Sequence, residues 1–286
     1  MSSELGPASL RPVGRGGRHD GFRLVALDID HTLVGDDNEI AARDLAAVRQ
    51  CLAMGIEVVL ATGRTRPGTI PIARQIGEGI PMICTTGGVT YNGRGEVIRR
   101  ATVPLTLARD VLDRWRREGI PARADAAGTV YYTSAPPARW LVPGAIVDPD
   151  LADHLSKAPD QLVVWGEDGC RWTIRHLSYL SADVQLLVLP SWEEPRVVHV
   201  LHPRASKGAA LADYCHSRGI DRSQVLAIGD SLNDFSLLSF AGTGIAMGHC
   251  EPMLRLVADV VLDAGEAVAD ALYAYVLSAG GRDGDC

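Results

Sequence analysis

The stretch LVALDIDHTLVGDD, residues 24–37, decides how the rest of the chain is read. Four apolar residues run without a polar break into Asp28, and Asp30 follows two positions later. A continuous apolar run bounded in this way is the pattern of a strand covered on both faces. Such strands belong to parallel sheets, whose ligands sit beyond the carboxyl ends of the strands. If the strand held as far as Asp30, both carboxylates would point the same way. They would then repel each other unless a cation joined them.

Working outward, NEIAARDLAAVRQCLAMG (38–55) places Ile40, Leu45, Val48 and Leu52 near helical spacing, with Asn38 as the expected N-cap and Gly55 as the stop. IEVVLATGR (56–64) is a second buried strand and PMICTTG (81–87) a third. This β-α-β-α-β series predicts a parallel sheet with helices on both faces. From about residue 99 to 199 the texture changes. A helix, LTLARDVLDRWRREG, is followed by four segments read as short strands: GTVYYT, QLVVWG, CRWTIRHL and VQLLVLP. Pro136, Pro137 and Pro143 and all five tryptophans lie in this section, which reads as an inserted α+β module. The first texture then returns, with SKGAALADYCHSRG as a helix, QVLAIGD as a buried strand and FSLLSFAG as a short helix. The expected organisation is an α/β, Rossmann-like core from residues 22–98 and 200–279, an insert from 99–199, a disordered tail at 1–21 and a tail at 280–286.

The 286 residues carry a net charge of −7, which argues against a nucleic-acid binder, where a basic stripe is expected. No apolar run approaches the roughly 18–20 residues of a membrane span, and the N-terminal segment lacks the apolar core of a secretory signal. The six cysteines include no C-x-x-C pair, and Cys51, Cys84 and Cys215 fall inside periodic helix or strand patterns. A reduced, cytoplasmic protein is expected.

The polar residues that follow the buried strands carry the chemistry. After the first come Asp28 and Asp30; after the second, Thr62, Gly63 and Arg64; after QVLAIG, Asp230, Ser231, Asn233 and Asp234. Lys207 opens the helix in RASKGAAL. Several carboxylates with open coordination positions suit Mg²⁺, which prefers oxygen ligands, keeps water and commonly meets substrate phosphate.

These residues resemble the signatures of the haloacid dehalogenase (HAD) superfamily. Asp28-Ile29-Asp30-His31-Thr32 matches DxDxT, Thr62 ends the second motif, Lys207 is the third, and Asp230-Ser231-Leu232-Asn233-Asp234 matches the fourth. The position, size and texture of the insert resemble the C2-type cap of subclass IIB, the Cof-type phosphatases, as do TGR, SKG, GDSLND and AMG. Three departures from that branch are His31 in place of glycine, TTGGV at 85–89, and His249-Cys250 after AMG. They bear on the substrate more than on the chemistry.

The resemblance implies that Asp28 is the nucleophile and forms an aspartyl-phosphate. It implies that Asp30 is the general acid and then the base. Thr62, Gly63, Lys207 and Asn233 would hold phosphate. Mg²⁺ would be held by Asp28, by the Asp30 backbone carbonyl and by Asp230, with Asp234 beside them or bridged through water. His31 and Arg64 are candidates for substrate contact, and in the insert so are Trp140, Trp165 and Trp172 and the polar residues Arg139, Arg171, Arg175 and His176. The expected partner is a small phosphorylated metabolite, with no nucleic acid and no membrane, and the protein itself is expected as a monomer or homodimer. A phosphomutase of the phosphomannomutase type, and a non-catalytic binding domain of the same fold, are the competing readings.

Overall fold

The computed structural model describes residues 21–35, 37–138, 141–180, 182–189 and 196–277. The segments read as tails, together with Arg139, Trp140 and Trp192, therefore lie outside the described residues, apart from Gly21.

LVAL forms β1 (Leu24–Leu27), buried at every position. It lies between β2 (Glu57–Ala61) and β12 (Val225–Gly229), parallel to both. The sheet continues through β3 (Met82–Cys84), β4 (Val89–Tyr91) and β5 (Val97–Arg100) on one side, and β13 (Thr243–Ala246) and β14 (Val260–Val261) on the other. The order is β14-β13-β12-β1-β2-β3-β4-β5. Only β4 runs against the other strands, antiparallel to both β3 and β5. Period-two alternation divides the buried side chains. Val25 and Leu27 pack in one cluster with α1 (Ala42–Ala53), α2 (Arg66–Ile76) and α8 (Val268–Leu272). Leu24 and Ala26 pack in the other with α6 (Lys207–Arg218) and α7 (Phe235–Phe240). The chain leaves β1 toward β2 and returns on its other side as β12, so the strand order reverses between them. A crevice opens at such a switch point.

The insert forms a second sheet of order β10-β11-β9-β6-β7-β8. Its strands are β6 (Ala122–Ala126), β7 (Thr129–Tyr132), β8 (Ile146–Val147), β9 (Gln161–Trp165), β10 (Gln185–Leu189) and β11 (Val197–Leu201). Ala122, Ala124, Leu162, Val164, Val198 and Val200 face α3 (Leu105–Arg117), α4 (Leu151–His154) and α5 (Glu167–Leu177). β5 runs to Arg100 in the first sheet and β11 to Leu201 in the second, each two residues beyond the expected changeover.

Two local expectations are corrected. CRWTIRHL is helix α5, not strand. Cys170, Thr173 and Leu177 recur at helical spacing on its buried face, Glu167 and Asp168 occupy its first turn, and Trp115 Nε1 donates to Thr173 Oγ1 at 2.9 Å. The β-branched pair at 173–174 pointed to strand, but the sheet needs an apolar cover on this face. Asn38 is not a helix cap. It takes a left-handed turn (φ 59) four residues before α1, because Ile40 is still bridged to Val34 and α1 begins only at Ala42.

Candidate active site

The strand does not hold to Asp30, so the two carboxylates of the first motif part. Asp28 N still donates to Ile228 O at 3.0 Å, but the Ile29 carbonyl then accepts Thr32, Leu33 and Val34 amides, and His31 turns left-handed (φ 58). Asp28 stays inside at 3% exposure. The Asp30 side chain swings outward to 48% exposure, where Arg64 Nε donates to both carboxylate oxygens at 3.0 Å and Arg64 Nη2 donates to Oδ1 at 2.5 Å. A guanidinium fork of this kind fixes a carboxylate's orientation as well as its charge balance.

The third and fourth motifs are what crowd Asp28. Lys207 Nζ lies 2.5 Å from Asp28 Oδ1 and 2.6 Å from Asp234 Oδ1, with no exposure of its side chain. Ser206 starts α6 by accepting the Ala209 amide, which aims the first residue of the helix at the strand ends. Asp234 Oδ2 accepts the amides of Asp230 and Ser231 at 3.2 and 3.1 Å. This close approach requires Gly229, where a Cβ would stand 2.5 Å from Asp234 Cγ. Thr32 Oγ1 donates to Asp230 Oδ1 at 3.0 Å, which gives the threonine of the first motif a role.

Asp28, Asp230 and Asp234 each present an oxygen, and these oxygens lie within 4.8 Å of one another. When ionised, three carboxylates against one ammonium leave two negative charges in a buried volume. Burial first, and then the charge of Asp234, push the Asp28 carboxyl well above the ordinary carboxylate value. The same two causes raise Asp230, against the Thr32 hydrogen bond. Burial works against the Lys207 charge, but Asp234 and Asp28 outweigh it and hold the ammonium protonated. An all-oxygen donor set with two uncompensated negative charges fits a divalent hard cation such as Mg²⁺. The Asp30 carboxylate is not part of this group.

Thr62, fully buried at the end of β2, accepts the Arg64 amide on Oγ1 at 3.0 Å, which leaves its own hydroxyl proton to donate. A Cβ on Gly63 would sit 3.6 Å from both Asn233 Nδ2 and Thr86 Oγ1, so these three residues bracket one small space. Asn233 Oδ1 and Thr86 Oγ1 are buried without a partner. Thr85 and Thr86 hold left-handed backbone angles (φ 50 and 54), which is costly for β-branched residues and concentrates at functional sites. Thr86 was missed as a site residue; the signal was a pair of hydroxyl residues between a buried strand and Gly87-Gly88.

His31 contributes its backbone: its carbonyl accepts His249 Nε2 at 2.7 Å, and that ring stands 4.0 Å from Asp230 Oδ2. The two histidines that departed from the family pattern are thus one contact. In the insert, Trp165 lines a cavity together with Asp30 and Arg64. Trp172 instead stacks on His176 at 4.4 Å, and Arg171 pairs with Glu167.

The family model for haloacid dehalogenase-like hydrolases matches residues 25–272. The chain belongs to that family. Within it, the chain is a Cof-type phosphatase, a phosphoric monoester hydrolase. It is 28% identical over 251 residues to an HMP-PP phosphatase of Serratia proteamaculans, covering 82% of this chain and 86% of that one. It is 24% identical over 269 residues to the pyridoxal phosphate phosphatase YbhA of Escherichia coli, covering 90% and 98%. It also matches the chloroplastic endoribonuclease YBEY of Arabidopsis thaliana, 25% identical over 281 residues and 89% of this chain, but spans only 46% of that protein's length. Among solved structures, a haloacid dehalogenase-like hydrolase from Bacteroides thetaiotaomicron superimposes with a TM-score of 0.75 at 22% identity, covering 88% of this chain and 99% of that one. No described helix is long and apolar enough to cross a membrane.

Proposed function

We propose that this phosphatase is Mg²⁺-dependent and hydrolyses a small phosphorylated metabolite, a sugar phosphate or biosynthetic intermediate, in the cytoplasm through an aspartyl-phosphate on Asp28. The observation that carries this reading is the buried group of Asp28, Asp230 and Asp234 bridged by Lys207. The small phosphorylated compounds in the relatives' names support the substrate class. Residues 99–199 serve as the cap over the cavity that Asp30 and Arg64 share with Trp165.

Asp28, Asp230, Asp234 and the Asp30 carbonyl would hold Mg²⁺, which when bound offsets the charge of the phosphoryl oxygens. Lys207 holds the Asp28 carboxylate in place and adds a fixed positive charge beside the phosphoryl group. The free Asp28 oxygen attacks phosphorus as the bond to the leaving oxygen breaks, and Asp30 gives its proton to that oxygen. The Thr62 hydroxyl and the Asn233 amide donate to phosphoryl oxygens through the transfer. Water then attacks the same phosphorus, Asp30 takes its proton, and the bond from phosphorus to Asp28 breaks, releasing phosphate.

Phosphate release from a panel of sugar phosphates, nucleotides and pyridoxal phosphate, with Mg²⁺ and with EDTA, tests the reading. Expected is release that EDTA abolishes and that Asp28→Asn, still folded, lacks. Full activity in Asp28→Asn would overturn the mechanism, and undiminished activity in EDTA would overturn the metal.

A further inference from the structure

The cavity between the two sheets has a volume of about 620 Å³. Asp30, Gly63 and Arg64 form its floor, and the open face of the insert's sheet forms its roof. Strand pairing sets what that roof presents. Tyr132 pairs with Arg123, Arg123 with Val163, and Val163 with His199, so these four side chains make one row across β7, β6, β9 and β11. The next row places Asp125 beside Gln161. On the other side of the first row, Trp165 pairs with Val197. The alternate residues of the same strands are those that bury against α3 and α5.

A chain of hydrogen bonds across these rows leaves one defined acceptor. Arg123 donates to Asp125 through Nε and Nη2, both at 2.7 Å. Asp125 Oδ2 also accepts Gln161 Nε2 at 2.6 Å, which orients the amide so that its oxygen faces His199. Gln161 Oε1 lies 3.0 Å from His199 Nδ1. An amide oxygen can only accept, so Nδ1 carries the ring proton and Nε2 keeps its lone pair. Burial, reinforced by the Arg123 charge, lowers His199 to about 4, so the ring is neutral at physiological pH. No hydrogen bond is made by His199 Nε2 among the described residues.

The charges in the cavity are already balanced. Arg64 is paired with Asp30, and Arg123 with Asp125. Both guanidinium groups are already engaged by these carboxyl groups, and Val163, Trp165 and Val197 give the roof an apolar surface. A second phosphate or carboxylate would lose its hydration there without a partner.

We propose that His199 selects the leaving group of this phosphatase: Nε2 accepts a hydrogen bond from a hydroxyl or N–H of an uncharged leaving group lying against Trp165, and a second anionic group is disfavoured. The proposal rests on the phosphatase reading above. Gln161 is a positioning residue that holds His199 in its accepting tautomer.

Wild type, His199→Leu and His199→Gln are compared on p-nitrophenyl phosphate, whose leaving group has no donor, on glucose 6-phosphate and pyridoxal 5′-phosphate, which have donors, and on fructose 1,6-bisphosphate. The readout is the ratio of kcat/KM for the better donor-bearing substrate to that for p-nitrophenyl phosphate. We expect His199→Leu to lower this ratio by about tenfold or more, and His199→Gln, which keeps an acceptor, to hold it within about threefold. Wild type should prefer that monophosphate to the bisphosphate. An unchanged ratio in His199→Leu, or preference for the bisphosphate, would overturn the proposal while leaving the phosphatase reading intact. If wild type releases phosphate from none of these compounds, that reading fails, and ¹⁵N NMR of the His199 ring decides the selection. The proposal then stands if Nε2 resonates as an unprotonated nitrogen and moves with glucose 6-phosphate or pyridoxal 5′-phosphate but not with phenyl phosphate. It falls if Nε2 is protonated or responds to neither.

Discussion

Replacing Lys207 with methionine removes the ammonium that holds the acid cluster together while keeping most of the side chain's length. Asp28 and Asp234, hydrogen-bonded to it at 2.5 and 2.6 Å, would be left buried beside Asp230 with no cation in contact. Removing one partner of a buried ion pair costs about 3–5 kcal/mol, because the remaining charge is uncompensated. At about 2–4 °C per kcal/mol for a chain of this size class, the melting temperature should fall by roughly 6–20 °C. The carboxylates can escape part of this cost by taking up protons, so the loss should be larger at pH 8 than at pH 5. Thermal unfolding in EDTA at the two pH values measures it. The double variant Lys207→Met/Asp234→Asn, which removes one of the stranded charges, should recover a substantial part of the loss. A drop of less than about 2 °C at pH 8, on the same scale, would refute the view that Lys207 is the counter-charge of a buried anionic cluster.

The cluster also sets a pH dependence. Asp28 and Asp230 are raised in the folded state by burial and by Asp234, so the metal-free protein binds their protons more tightly folded than unfolded. That contribution is full below the ordinary carboxylate value of 3.8 and is lost as pH rises through the raised folded values. The gap in melting temperature between Mg²⁺ and EDTA should therefore widen from pH 5 to pH 8, and a constant gap would count against the site. Asp160, raised by burial to about 7, loses stability in the same direction, but with and without metal, and so cancels from the gap. Arg64→Lys should lower kcat by about tenfold with little loss of stability, since a lysine cannot reproduce the fork that fixes Asp30; equal kcat would show that the fork is dispensable. Gly208→Ala places a Cβ 2.1 Å from the Ser236 carbonyl oxygen between α6 and α7 and should cost about 1–3 kcal/mol in urea unfolding; a neutral result would mean that the two helices part freely.

Much of the molecule is legible in its sequence. LVAL, IEVVLA and QVLAIG could be read as buried strands because each is an unbroken apolar run, and a parallel sheet covered on both faces has no other economical sequence. The residues that follow them were legible for the same reason, since a polar cluster at the end of a buried strand has little structural purpose of its own. CRWTIRHL was misread because a short segment with β-branched residues carries no decisive period, and its state depended on which face of the insert's sheet needed a cover.

The sequence alone determined the α/β core, the presence of the insert and the set of acidic and basic groups at the strand ends, because these follow from local apolar patterning and residue type. Tertiary structure decided which of those groups meet. Asp28 and Asp30, two apart in sequence, are separated by a turn built on the Ile29 carbonyl, whereas Asp28 and Lys207, 179 positions apart, share a hydrogen bond. It likewise brought Thr86 to Gly63 and turned His199, which lacked any motif, into a neutral acceptor through Gln161, Asp125 and Arg123. Such contacts depend on strand order, register and helix placement, which set distances between remote residues and leave no periodic trace along the chain.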